Sequence, residues 1–149
     1  MKIFVGWDSR EEDAYKVCVH TIKKYASKNV EIIPLKRDEL RKQGLYTRDE
    51  GGAVSTEFAY TRFFTPHLSD YKGWSLFIDC DFLFTRDVCE LFSLSDPSYA
   101  VMCVQHDYTP SSTIKMDGQK QVPYPRKNWS SCVLWNCAHP ANAIVTPDI

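Results

Sequence analysis

The chain has 149 residues, 44% hydrophobic and 25% charged, with a formal net charge of −1. That length suits one domain burying about 68–70% of its extended-chain surface. The near-neutral balance gives bulk electrostatics no hold on nucleic acid or an anionic membrane, so neither is expected as a partner. Residues 3–5 form a short apolar strand. Ser9 with Glu12 three positions on makes a capping-box pattern. Ala14, Val17, Cys18, Ile22 and Tyr25 then recur at helical spacing, which predicts one buried helix face. Residues 30–35 read as a second strand, and strand–helix–strand is the opening of an α/β sheet. Residues 36–49 are charged, with one helical turn near Asp38-Glu39-Leu40. Gly51-Gly52 breaks the chain before a second helix over residues 55–65, stopped by Pro66.

Gly73 leads into an apolar strand over residues 74–78. Val88, Leu91 and Phe92 predict a short helix, and residues 99–104 a further strand. Residues 106–127 are polar, carry Pro110, Gly118, Pro123 and Pro125, and lack periodicity, the pattern of a lid, a binding loop or disorder. Strand character returns over residues 131–135. Thr146-Pro147-Asp148 has the residues of a helix start with only Ile149 after it, so residues 1–149 read as a single, incomplete domain. The opening apolar run is too short for a signal peptide and no membrane span follows. Six cysteines without Cys-x-x-Cys spacing, several in apolar segments, read as free thiols in a reduced, cytoplasmic chain. The sequon Asn128-Trp129-Ser130 would go unused there.

The chemistry concentrates at Asp79-Cys80-Asp81, which follows the apolar Leu76-Phe77-Ile78. Two carboxylates at a buried strand's carboxyl end sit where open α/β sheets bind ligands. Hard oxygen donors there suit Mn²⁺ or Mg²⁺ carrying a phosphorylated substrate; the alternative is two solvated carboxylates. Trp7 either stacks on a base or is a buried aromatic. Asn128 and Ser130, ahead of the last strand, either approach a sugar or end a polar loop. Lys115, Lys120, Arg126 and Lys127 read as a solvated loop, or less simply as contacts to a phosphate. His20 and His67 read as structural or surface residues. Gly51-Gly52-Ala53-Val54-Ser55-Thr56 lacks the lysine of a phosphate-binding Walker loop.

Tyr60-Thr61-Arg62-Phe63-Phe64-Thr65-Pro66-His67-Leu68, followed by Leu76-Phe77-Ile78-Asp79-Cys80-Asp81-Phe82-Leu83, resembles glycosyltransferase family 8, which includes glycogenin-like and lipopolysaccharide sugar transferases. Gly6-Trp7-Asp8 is similar to that family's nucleotide-binding start, and Asn128-Trp129-Ser130-Ser131-Cys132-Val133-Leu134-Trp135-Asn136 to its Asn-Ser-Gly strand. The resemblance implies an α/β fold of GT-A type, a Rossmann-like open mixed sheet flanked by helices. It implies a retaining, metal-dependent transferase that uses a nucleotide-diphosphate sugar, with uracil as base. The acceptor would be a carbohydrate, a lipid-linked molecule or a protein. By the same resemblance Asp79 and Asp81 hold the metal, Arg62 reaches the nucleotide-sugar, and Asp8 lies at the base and ribose. The plain alternatives are an Arg62 ion pair with Glu57 or Asp70, and an Asp8 that neighbours a helix cap. The family's third metal-ligand His and its Lys-Pro-Trp-like segment have no counterpart, since His139-Pro140 follows the last strand too soon. Two rivals stay open: a nucleotidyltransferase, which normally has a basic glycine-rich loop after its first strand, and a truncated, non-catalytic nucleotide-sugar-binding remnant.

Overall fold

The computed structural model describes residues 1–49, 54–107 and 127–147. Its centre is a five-stranded sheet of order β2-β1-β3-β5-β4. The strands are β1 (Lys2–Gly6), β2 (Glu31–Leu35), β3 (Trp74–Ile78), β4 (Val101–Cys103) and β5 (Cys132–Asn136). β1 pairs in parallel with β2 and β3, whereas β5 runs antiparallel to both β3 and β4. This is the α/β, open mixed sheet that was expected. The central strands are apolar on both faces, as strands covered on both sides must be. Ile3, Phe4, Val5, Phe77 and Ile78 are fully buried. Pro34 is tolerated in β2 because that strand is an edge of the sheet.

Helix α1 (Glu12–Tyr25) carries the chain from β1 to β2 and buries Cys18, Thr21 and Ile22. Its exposed Val17 and Tyr25 place the buried stripe on a narrower face than the apolar spacing predicts. The expected capping box does not form. Glu11 occupies the cap position with no side-chain capping bond, and the Ser9 hydroxyl donates instead to Glu57 at 2.7 Å. Helix α2 (Arg37–Lys42) follows β2, and its Leu40 joins Tyr46 and Phe64 in a small second core. The helix expected over residues 55–65 is in fact a 3₁₀ turn, Thr61–Phe64, running into a short α3 (Thr65–Leu68). Pro66 lies in the first turn of α3 rather than ending a helix, a position that tolerates its missing N–H.

Phe4 and Phe77 share one face of the sheet by register, and Phe58 and Arg62 lie against it. Gly6 is required for this fit: a Cβ there would stand 2.6 Å from Cγ of Phe58. Helix α4 (Cys89–Ser93) forms where a short helix was expected. The Gly51-Gly52 break, most of the polar stretch from 106 to 127 and the helix start at Asp148 fall outside the described residues, as do Lys115, Lys120 and Arg126 and the side chain of Lys127.

Candidate functional site

Three parts of the chain reach one edge of the sheet. β1 runs on into Trp7 and Asp8, and β3 into Asp79. A 3₁₀ turn, Lys127–Ser131, brings Ser130 and Ser131 to the same edge because β5 enters where β3 leaves. The Asp79 amide donates to the Ser131 carbonyl at 2.9 Å, extending the β3–β5 pairing past the strand.

Arg62 joins these parts. Its Nη1 donates to the carbonyl and hydroxyl oxygens of Ser130 at 2.7 and 2.8 Å, and its Nε to the Phe58 carbonyl at 3.4 Å. Its Nη2 lies 3.3 Å from Oδ1 of Asp79. The guanidinium also stands 5.1 Å from the ring centre of Phe77. The two ionic side chains are 11% and 20% exposed, so solvent screens this pair far less than a surface one. The ion-pair partner of Arg62 is thus Asp79; Glu57 instead accepts from Ser9 and lies 3.9 Å from Arg37.

β3 stops at Ile78 and residues 80 and 81 form a turn, so the two carboxylates leave a bent backbone instead of opposite faces of a pleat. Asp81 is exposed. Burial, with the negative charge of Asp81 added, pushes the Cys18 thiol up to about 12. Between the aspartates, buried Cys80 donates from Sγ to Oε2 of Glu11 at 3.0 Å. Burial, that bond and the neighbouring carboxylates raise the Cys80 thiol far above its ordinary value, so it stays a protonated donor. It pins the Asp-x-Asp turn to the start of α1. The sequence reading missed this contact, for nothing in the spacing relates Glu11 to Cys80.

Asp8 is fully buried. Its Oδ1 accepts from the Arg10 amide and Nε at 3.0 and 2.9 Å, and its Oδ2 from Arg10 Nη2 at 2.7 Å and the Glu57 amide at 3.0 Å. Arg10 Nη2 also reaches the Ser55 carbonyl at 2.8 Å. Burial disfavours the charge, but the bonds from Arg10 and Glu57 outweigh it and hold the carboxyl down to about 2. Asp8 is therefore a clasp that fixes residues 55–57 to the end of β1. The Asp8/Arg10 spacing is the signal that would have shown it, since aspartate readily accepts from the amide two residues on. Trp7 is half-buried with the Lys36 ammonium 5.0 Å from its ring centre, and Asn128 is exposed, its carbonyl accepting from the Ser131 hydroxyl.

Among the described residues no three His, Cys, Asp or Glu side chains are placed to hold one ion. Asp79 and Asp81 supply two hard oxygen donors. That set fits Mn²⁺ or Mg²⁺, which are commonly held by one or two carboxylates and completed by substrate phosphates and water. No helix among the described residues is long and apolar enough to cross a membrane.

No family model matches this chain. Protein CDI of Arabidopsis thaliana is 59% identical over 148 residues, which cover 99% of this chain and 57% of that protein. The chain thus spans a little over half the length of this curated relative. Among solved structures, the bifunctional glycosyltransferase WbbM superposes over 96% of this chain and 32% of its own with a TM-score of 0.65 at 16% identity. Glycosyltransferase GlyE of Streptococcus pneumoniae TIGR4 matches over 99% of this chain and 37% of its own, with a TM-score of 0.55 at 12% identity. Mouse xyloside xylosyltransferase 1 matches over 99% of this chain and 73% of its own, with a TM-score of 0.54 at 9% identity. At these identities the likeness is one of fold. The chain has the α/β fold of GT-A glycosyltransferases.

Proposed function

We propose that the chain forms the donor-binding part of a family 8-like glycosyltransferase. It would move a sugar from a nucleotide-diphosphate sugar, with UDP as carrier, to an acceptor hydroxyl with retention, using Mn²⁺ or Mg²⁺ at Asp79 and Asp81. The observation that carries this reading is the junction of Arg62, Asp79 and Ser130 at the carboxyl edge of β1 and β3, where open α/β sheets take their ligands. The fold shared with glycosyltransferases adds weight by analogy.

The ion, when bound, supplies positive charge against the diphosphate leaving group. Arg62, held in place by Ser130 and Phe58, offers a planar set of N–H donors to phosphate oxygens or sugar hydroxyls. Trp7 provides a ring face for the base, and Asn128 and Ser130 flank the sugar. Asp8 acts at one remove, by fixing the segment that leads to Arg62. The acceptor hydroxyl would attack the anomeric carbon on the face from which the diphosphate departs, the sugar–phosphate C–O bond breaking and the hydroxyl proton leaving with the diphosphate oxygen.

Calorimetric titration with UDP, with and without Mn²⁺, tests the reading. Binding is expected to require Mn²⁺ and to weaken more than tenfold in Asp79→Asn/Asp81→Asn, since roughly that much is lost when even outer partners of a metal site are removed. UDP binding at unchanged affinity by the folded double variant would overturn the metal assignment. Release of pyrophosphate in place of sugar transfer would favour a nucleotidyltransferase.

A further inference from the structure

We infer that Arg62 and the divalent cation compete for Asp79, so that cation and diphosphate bind as a pair and the cation alone binds weakly. This rests on the donor-site reading above and specifies how its parts are coupled. The Arg62 guanidinium, permanently charged, stands 3.3 Å from Oδ1 of Asp79 and matches its charge. To hold a doubly charged ion as well, Asp79 would give up that contact or share its carboxylate between the two, and either leaves a sheltered excess of positive charge. A diphosphate removes the excess, because its oxygens serve the ion and the guanidinium together.

The geometry allows the exchange because Arg62 does not depend on Asp79 for its position. Nη1 is held by two short bonds to Ser130, Nε faces the Phe58 carbonyl, and the plane rests over Phe77. The contact to Asp79 is made by the other arm, Nη2, at a longer distance. When Asp79 turns to the ion, the guanidinium stays and Nη2 faces the site with a donor for phosphate. By linkage, diphosphate must then raise cation affinity by the same factor as cation raises diphosphate affinity.

The test is titration of the purified chain with Mn²⁺, followed by the paramagnetic resonance signal of the free ion, without nucleotide and with saturating UDP. Arg62→Met keeps the stem over Phe77, Arg62→Gln keeps a neutral donor toward Ser130 should the first fail to fold, and Arg62→Lys keeps the charge. The neutral variants are expected to bind Mn²⁺ alone about tenfold tighter than the unaltered chain, within the range usual for coupling between sites. The enhancement by UDP should shrink to match, while Arg62→Lys stays near the unaltered value. Mn²⁺ affinity that is unchanged or weaker in the folded neutral variants, with Asp79→Asn still abolishing binding, overturns the competition and leaves the metal site standing. No Mn²⁺ binding by the unaltered chain, with or without UDP, overturns both. A merely structural Arg62 could lower the affinity on removal but could not raise it.

Discussion

Asp8 illustrates how a single carboxylate can be committed to the fold. Four donors converge on it and hold its carboxyl down to about 2, below the ordinary aspartate range. A group depressed in this way stabilises the fold above its unfolded pKa, and the contribution is lost as pH falls through the folded value. The window is therefore pH 4 down to 2. With Arg10 partly open to solvent, the contribution is on the order of 1–2 kcal/mol. Asp8→Asn is expected to lower stability by about 2 kcal/mol at neutral pH, because the buried amide cannot satisfy the Arg10 fork. Urea unfolding at pH 6 and pH 2.5 should show the gap between the two proteins narrowing at the lower pH; a constant gap would contradict the clasp. At this scale the sequence is only partly readable. Arg62, Asp79 and Ser130 are visible as candidates, but that they touch depends on β5 pairing with β3, which no local pattern encodes. The Glu11–Cys80 contact is hidden for the same reason.

Among the elements, the strands were the most legible and the helix ends the least. β3 falls over residues 74–78 as expected, because a short apolar run covered on both faces has few other ways to hide itself. α1 begins at Glu12, later than the Ser9 pattern predicts, because Ser9 finds its partner 48 positions away rather than in its own first turn. The segment before Pro66 became a 3₁₀ turn because Phe58 must seat against Gly6, and Arg62 must reach Ser130 from there. That seat makes Gly6 a sharp test of the packing. Gly6→Ala forces a Cβ into the ring of Phe58, which is 2% exposed and has little room to retreat. Overpacking of this kind costs about 1–3 kcal/mol, measurable as a lowered urea midpoint. Under the donor site proposed above, UDP affinity should fall with it, since the Phe58 carbonyl faces Arg62. A variant as stable as the parent would show that Phe58 is not fixed by β1.

Over the whole molecule, order is centred on β3 and its neighbours β1 and β5, each flanked by strands on both sides, with β2 and β4 as edges. The cluster of Leu40, Tyr46 and Phe64 is a separate, smaller core. Hydrogen exchange should therefore find the amides of β1 and β3 opening only with global unfolding, while those of Leu45 and Tyr46, which donate to Leu40, exchange at least tenfold faster. Equal protection would mean that the two cores unfold as one. The strand order also bears on how the chain is made. Among the described strands the β3 flank opposite β1 is closed by β5, which follows β4 in sequence, while β4 pairs with β5 and not with β3. On a ribosome, Trp74–Ile78 thus emerges with one side open and waits seconds for its neighbour. Throughout that interval an apolar strand offers an unpaired edge to any other nascent chain, and a chaperone holding that edge would protect the strand that leads into the Asp-x-Asp turn.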